Sequence, residues 1–335
     1  MIGTRVPAMV LVAAALSAPA TARADPDPTE AGDASAPSEP SEPSATSAPS
    51  EPSSPPSDDD APPLRWRWQR FRTWEYPVTA VVLGGAIALR FAARAPSADW
   101  TGGILFDDWV QDHTAVQGIQ ARQSVKTMTD VFFYGSMGYR LVDSVLVPSL
   151  VWRSPDVAFQ MSLIDLESFG LVAITLWGSQ ALFGRERPFA KRCGDPAFAA
   201  SEACAPDSSE HNRSFFAGHP AVVLTAAGLT CIHHAHLPLY GGGIADKSAC
   251  GTMIAAAVVT GVGRVISEEH HASDLLVGYG VGVLAGFIMP EFLHYRLKSP
   301  SLADEPSAAS TTLVRTTLVP QIGPRDLGVG LHGVF

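Results

Sequence analysis

The chain has 335 residues, of which 46% are hydrophobic, and a formal net charge of −10. Residues 25–63 carry ten acidic residues and no Lys or Arg, so this segment alone accounts for the net charge. The remainder is close to neutral and lacks a basic patch, so we expect no nucleic-acid partner. A mean hydropathy of +0.14 is high for a chain with such a polar segment and argues against an ordinary soluble protein.

The first 24 residues have the pattern of an export signal. Arg5 gives a positive start, Ala8 to Ala18 is a short apolar run, and Ala22-Arg23-Ala24 is typical of a cleavage site. The run is too short to cross a bilayer comfortably, although an uncleaved signal anchor is the alternative. We therefore predict a signal peptide over residues 1–24 that directs the chain out of the cytoplasm.

Residues 25–63 repeat Ser-Glu-Pro and Ala-Pro-Ser and contain no aromatic residue. Such a composition buries too little apolar surface to offset the entropy lost on ordering. We predict a disordered acidic spacer.

Residues 65–74 have a different composition, in which arginines alternate with aromatic residues. This pattern is typical of a membrane interface or of an amphipathic segment on the protein's own core.

Six apolar stretches follow, each near the roughly 20 residues that a membrane helix needs. They cover residues 76–95, 129–151, 158–184, 217–236, 250–267 and 275–294. Arg140 and Asp165 lie inside two of them and are expected to face the bundle interior and pair. The sequence thus predicts an all-α six-helix membrane bundle over residues 64–298, with a soluble helical bundle as the alternative. Residues 96–128 form a polar connection in which we predict an amphipathic helix.

Three polar motifs lie at the ends of these stretches: Gly184 to Pro188, Ser214 to Pro220, and Gly263 to Asp274. If the spans alternate in direction, all three motifs lie on one face of the membrane. His270 and Asp274 are one helical turn apart, close enough for a carboxylate to orient an imidazole. An arginine nearby can bind an oxyanion with two parallel hydrogen bonds, which suits phosphoryl transfer.

Together these segments resemble the type 2 phosphatidic acid phosphatase superfamily. Its motifs are Lys-x6-Arg-Pro, Pro-Ser-Gly-His and Ser-Arg-x5-His-x3-Asp, and the resemblance covers about Tyr76 to Leu297. The positions that match are Arg187, Gly218, His219, Arg264, His270 and Asp274.

The resemblance implies a role for each matching residue. His270 would be the nucleophile that forms a phosphohistidine, Asp274 its orienting partner, and His219 the general acid. The phosphate would be bound by Arg187, Arg264 and Gly218, without a metal or another cofactor. The adjacent His271 is the rival nucleophile.

Three positions depart from the family pattern. Gln180 stands in place of the lysine, Ala217 in place of the motif serine, and Gly263 in place of the serine that opens the third motif. Gln180 can still donate a hydrogen bond to phosphate, and Arg185 or Lys191 could supply a charge. The function expected is hydrolysis of a lipid phosphate or diphosphate. A catalytically weakened binding or structural relative is the alternative, and a vanadium-dependent haloperoxidase is the second.

Four cysteines and a histidine-rich connection complete the candidate sites. Cys193 and Cys204 suit a disulfide across the long motif loop, if that loop is outside the cytoplasm. Cys231 and Cys250 flank the next connection, where a disulfide is less expected. His233, His234, His236 and Asp246 could ligate a metal, although their spacing is not that of a known site.

We expect a bacterial-type cell envelope location, in the inner membrane with the active site on the periplasmic face. A wholly periplasmic bundle is the alternative. Residues 299–335 form a polar C-terminal extension whose alternating end is typical of short strands.

Overall fold

The fold is given by a computed structural model of the chain. It describes residues 64–92, 100–199, 201, 204–205, 210–296, 315–322 and 327–334. The predicted signal peptide and acidic spacer lie outside the described residues and stay predictions.

Helices account for most of the described chain up to Arg296. They are α1 (Glu75–Ala92), α2 (Asp107–Thr114), α3 (Ile119–Leu141), α4 (Pro155–Leu182), α5 (Pro196–Ala199), α6 (Gly218–His236), α7 (Gly243–Ile266) and α8 (Ala272–Val283). A 3-10 turn covers Pro188–Gly194, and π-helical turns extend α3 through Val142–Val151 and α8 through Leu284–Ile288 and Glu291–Tyr295. This domain is all-helical, as predicted. In the C-terminal extension, Arg315–Ile322 (β1) and Leu327–Val334 (β2) form an antiparallel hairpin.

Helix α6 lies at the centre of the bundle, with α3, α4, α7 and α8 packed around it. Its buried residues are mostly small, and a Cβ added at Gly228 would lie 2.5 Å from the backbone of Gly286. Small residues let neighbouring helices approach this closely. Three successive glycines, Gly241, Gly242 and Gly243, then adopt positive φ and reverse the chain into α7.

The outer surface of the bundle is unusually apolar. Large hydrophobic side chains are exposed on every long helix except α6, among them Val81, Phe91, Tyr134, Leu150, Leu182, Ile244 and Leu276. Apolar surface this extensive marks a contact with lipid or protein. Three helices, Pro155–Leu182, Gly243–Ile266 and Ala272–Tyr295, are long and apolar enough to cross a membrane. These features indicate a membrane protein, while spans at α1, α3 and α6 stay predictions.

The aromatic residues before α1 pack largely on the protein itself. The rings of Trp66 and Trp68 lie 5.4 and 5.0 Å from that of Tyr295, and Phe71 is buried. Trp74 remains half exposed. The segment is therefore an amphipathic strip on the core, which was the alternative to a membrane-interface anchor.

A buried charge network occupies the end of the bundle where α6 terminates. Arg140 donates to Asp143 at 2.6 Å, to Asp165 at 3.0 Å and to Thr230 at 3.1 Å. The predicted pairing of Arg140 with Asp165 is therefore confirmed. This ion pair neutralises a cation that would otherwise be too costly to bury in an apolar interior.

The histidines at the end of α6 belong to the same network. His233 Nε2 lies 3.1 Å from Asp165, and the two nitrogens of His234 lie 3.0 Å from Asp143 and 2.5 Å from Asp246. Both imidazoles are thus engaged by carboxylates, which favours a structural role over the metal site that the sequence left open.

We expect Arg140→Met to destabilise the protein strongly, because it leaves buried carboxylates without their cation. Removing one partner of a buried pair costs about 3–5 kcal/mol, or roughly 6–20 °C in the midpoint of thermal unfolding for a domain of this size. Arg70→Met is the matched control, since Arg70 pairs with Asp156 at the surface and should matter little. Equal shifts for both variants in detergent would contradict this account.

Helices α3 and α7 touch at Gly263, where a Cβ would lie 2.4 Å from Cγ2 of buried Thr129. Restoring the family's serine by Gly263→Ser should therefore destabilise the protein by about 1–3 kcal/mol through overpacking. The double variant with Thr129→Ala removes the clashing methyl group and should recover most of that loss. Additive effects in this thermal-unfolding cycle would contradict the contact.

Candidate active site

The three motifs meet at the end of the bundle opposite the Arg140 network. Ser214 N donates to Arg185 O at 3.0 Å, which joins the first motif to the second. Ala217 N donates to Asp274 O at 3.2 Å, which joins the second to the third. Alternating helix directions thus bring together segments that are far apart in sequence.

His270 is buried in the turn between α7 and α8. Its Nδ1 lies 2.7 Å from the carbonyl oxygen of Ser214, so Nδ1–H donates and Nε2 is the nitrogen left for chemistry. Burial, and then the charges of Arg187 and Arg264, hold the pKa of His270 well below its ordinary value. The imidazole is therefore neutral at physiological pH, as a nucleophile must be.

His271 has different surroundings. Its Nε2 lies 3.2 Å from the carbonyl oxygen of Glu186, and its pKa is lowered by burial and by the charge of Arg185. Its nearest charged groups also include Asp274 and Asp107. Of the two adjacent histidines, only His270 has the two arginines of the matching motifs as its main charged neighbours.

Asp274 does not contact His270 in the way that the one-turn spacing predicts. Its carboxylate accepts from Arg185, from Ser214 Oγ at 2.5 Å and from His271 N at 3.0 Å. It therefore acts on His270 through Ser214, whose carbonyl holds the imidazole. Ser214 opens the second motif segment, but sequence reasoning gave it no role, because the family's Pro-Ser-Gly-His pattern starts two residues later.

Arg185 is wholly buried beneath the site. Its Nη2 lies 2.7 Å from Asp107, its Nη1 2.8 Å from Ser273 Oγ, and its guanidinium 4.1 Å from the centre of the Trp100 ring. These contacts hold both Nη atoms of Arg185, while its buried Nε has no hydrogen-bond partner within the described residues, so a charge from Arg185 in place of the motif lysine stays a prediction. Lys191 is an exposed side chain paired with Asp108, and it does not reach the site in this structure.

The two predicted phosphate-binding arginines are each held by carboxylates. Arg187 donates to Glu269 at 2.5 Å and to Glu210 at 2.9 Å, and Arg264 pairs with Asp130. In both side chains the buried Nε has no hydrogen-bond partner within the described part of the chain. Buried guanidinium donors without a partner suit an oxyanion, which accepts such bonds strongly.

His219, at the start of α6, is the more accessible histidine, with one-third of its side chain exposed. Its Nε2 lies 3.2 Å from Asp130 of α3, and its ring packs 4.5 Å from that of Phe133. Asp130 thus links His219 to Arg264. It is a second site residue that sequence reasoning missed, since it lies outside all three motifs.

Gly218 packs closely against α4: a Cβ there would lie 2.7 Å from Cδ2 of Leu176, so a larger residue would have to displace that side chain. As a first-turn residue of α6 it also presents an amide without a helical acceptor.

The departures from the family pattern have visible consequences. Gln180 makes no hydrogen bond to the other site residues among those described, so its predicted phosphate contact stays a prediction. Ala217 is buried and offers no hydroxyl. Gly263 faces Thr129 of α3, so a side chain there has no room without a shift of that helix.

Both cysteine pairs form disulfides. Cys193 joins Cys204 across the motif loop, as expected, and Cys231 joins Cys250 between α6 and α7, which was the less expected pair. The first constrains a loop of the active site, and the second ties the central helix to its neighbour.

One group of side chains in the described residues has metal-ligand geometry, and it lies away from the motifs. The ligand atoms of Glu75, Glu167 and His294 are within 4.8 Å of one another. Arg72 already pairs with Glu75 at 2.6 Å, and His294 bonds to Glu167 at 2.7 Å. The ion pair and the hydrogen bond explain why these three side chains lie together, and a metal ion is not needed to explain it.

Comparison with protein families gives one match, in which the model of the PAP2 superfamily covers residues 166–298. That segment includes all three motifs and α6, α7 and α8. No curated protein sequence and no solved structure matches the chain. The match over residues 166–298 supports membership of the type 2 phosphatidic acid phosphatase superfamily.

Proposed function

We propose that this protein is a phosphatase that hydrolyses a lipid phosphate or diphosphate through a phosphohistidine at His270. The family match supports a phosphatase-type function at the level of the superfamily. The observation that carries the finer proposal is the environment of His270. A buried neutral imidazole, fixed at Nδ1 by Ser214, lies among arginines with unpartnered donors.

In the first step, Nε2 of His270 attacks phosphorus and the ester P–O bond breaks. Arg187 and Arg264 bind the equatorial oxygens and balance the charge that develops on them. His219 donates a proton to the leaving alkoxide. Burial lowers the pKa of His219 below its ordinary value, while the hydrogen bond to Asp130 acts in the opposite sense and favours the protonated ring.

In the second step, water attacks the phosphohistidine and the P–N bond breaks. His219, now neutral, accepts a proton from that water, so the starting state is restored. Free phosphate leaves, and His270 returns as a neutral imidazole. The cycle uses no group beyond the side chains of the three motifs and Asp130.

A lipid is favoured as the substrate by the apolar surface around this end of the bundle. At the end of α4, Leu182 and Phe183 are exposed by 75% and 47%. Beside Asp130, Val131 and Tyr134 are exposed by 59% and 71%. An acyl or prenyl chain can contact this surface while its phosphate binds the arginines. The disulfide in the motif loop and the predicted export signal support a periplasmic face for the site.

Phosphate release by detergent-purified protein tests the nucleophile. We expect His270→Ala to lower the rate by roughly three powers of ten or more, because no other group can form the intermediate. His271→Asn, which keeps a favourable residue before α8, should stay within about tenfold of the wild type. Wild-type protein that is folded but releases no phosphate from phosphatidate, a prenyl diphosphate or a soluble ester would favour the weakened relative.

The pH dependence of kcat/KM tests the lowered pKa of His270. Protonation of His270 abolishes attack, so with a pKa well below 6.5 activity should persist as the pH falls through 6.5 and be lost only at lower pH. The unfolded state takes up this proton first, so folding stability falls below about pH 6.5 and must be followed alongside. An acidic limb with a midpoint at or above 6.5 in folded protein would contradict the assignment.

A further inference from the structure

A cavity lies beside the candidate active site, between the first half of α3 and the loop that the Cys193–Cys204 disulfide closes. Its volume is about 250 Å³, which is room for roughly eight water molecules. Two cationic side chains, Arg122 and Lys126, line it, together with Ser267 and Glu269. Ile119 and Phe198 give it an apolar wall. The mechanism above uses neither of its cations.

The cavity shares a wall with the phosphate site. The carboxylate of Glu269 lines the cavity, and its Oε2 lies 2.5 Å from Nη1 of Arg187. The other oxygen, Oε1, lies 3.3 Å from Nζ of Lys126. A group bound at Lys126 would therefore be separated from a phosphate at Arg187 by a single carboxylate.

Arg122 and Lys126 are the cations among the described lining residues and Glu269 is the carboxylate, while Glu268, which is not a lining residue, pairs with Arg122. Burial alone raises the pKa of Glu269, but the charges of Arg187, Lys126 and Arg264 outweigh it, so this group is ionised. Glu269 shares its charge between Lys126 and Arg187, and 43% of the Lys126 side chain is exposed and free to meet a ligand.

Arg122 adds a second, more rigid cation. It donates through Nε and Nη2 to the carbonyl oxygen of Ser267, at 3.3 and 3.1 Å, and its Nε also lies 3.1 Å from Glu268. Its guanidinium lies 5.1 Å from the ring centre of Phe198. These contacts hold the side chain at the cavity and leave Nη1 for a further acceptor.

Both cations reach the site because of their spacing on α3. Arg122, Lys126 and Asp130 are each four residues apart, so they lie on one face of the helix. Asp130 fixes that face against Arg264 and His219. The same helix face thus contacts the catalytic groups at one end and lines the cavity at the other.

We propose that this cavity is a second anion subsite, in which Lys126 and Arg122 bind an anionic group linked to the phosphate that is hydrolysed. The preferred substrate is then a phosphate ester with a second negative group close to the first, of which a diphosphate is the simplest. The preference for such a substrate rests on the proposed function. The binding of a second anion does not depend on the proposed function.

The test is a calorimetric titration of full-length, detergent-purified protein with inorganic pyrophosphate and, separately, inorganic phosphate. We expect pyrophosphate to bind at least about tenfold more tightly than phosphate. Lys126→Met should weaken pyrophosphate binding by about tenfold and change phosphate binding by less than about twofold. Lys191→Met, which removes an exposed cation of the neighbouring loop, is the control and should change neither.

The subsite would be overturned by wild-type protein that binds both anions equally, or by a Lys126→Met variant with unchanged affinity for pyrophosphate. Equal weakening for both anions would also overturn it, because Lys126 would then belong to the first phosphate site. The circular dichroism of each variant verifies its fold. If the wild type prefers pyrophosphate but releases no phosphate from any ester, the proposed function fails and the subsite stands.

Discussion

The site depends on one wholly buried cation, Arg185. Arg185 lies between the carboxylates of Asp107 and Asp274, so it joins the loop after α4 to the starts of α2 and α8. Loss of either carboxylate would leave the buried guanidinium without one of its partners, which strongly destabilises a protein. Because Asp274 also holds Ser214, the same ion pairs set the carbonyl that orients His270.

Helix α3 is the second constraint, although it lies outside the segment that the family model covers. It contributes Asp130, which contacts His219 and Arg264, and packs against α7 at Gly263. The close α3–α7 contact explains why a glycine stands where the family has serine. The departure at Gly263 thus follows from helix packing, whereas the partners of Asp130, which are His219 and Arg264, match the family pattern.

The helical bundle and the positions of the three motifs could be predicted from sequence, because apolar runs of about 20 residues and three ordered motifs are strong local signals. The residues that contact the motif side chains could not be predicted. Asp130 pairs with residues about 90 and 130 positions away, and no spacing rule links them. Asp274 was expected to contact His270 from helical spacing alone, but Arg185 and the amide of His271 compete for the same carboxylate. Enclosure of α6 on all sides is likewise a tertiary property that its apolar sequence does not reveal.

The central claim is that His270, and not its neighbour, carries the phosphoryl group. Rapid quenching at alkaline pH after mixing with a substrate labelled at the phosphate preserves a phosphohistidine, and peptide mapping then locates it. The account predicts a labelled histidine at His270 in the wild type and in His271→Asn, and no label in His270→Ala. Label on any other residue, or turnover without a labelled enzyme, would contradict the account.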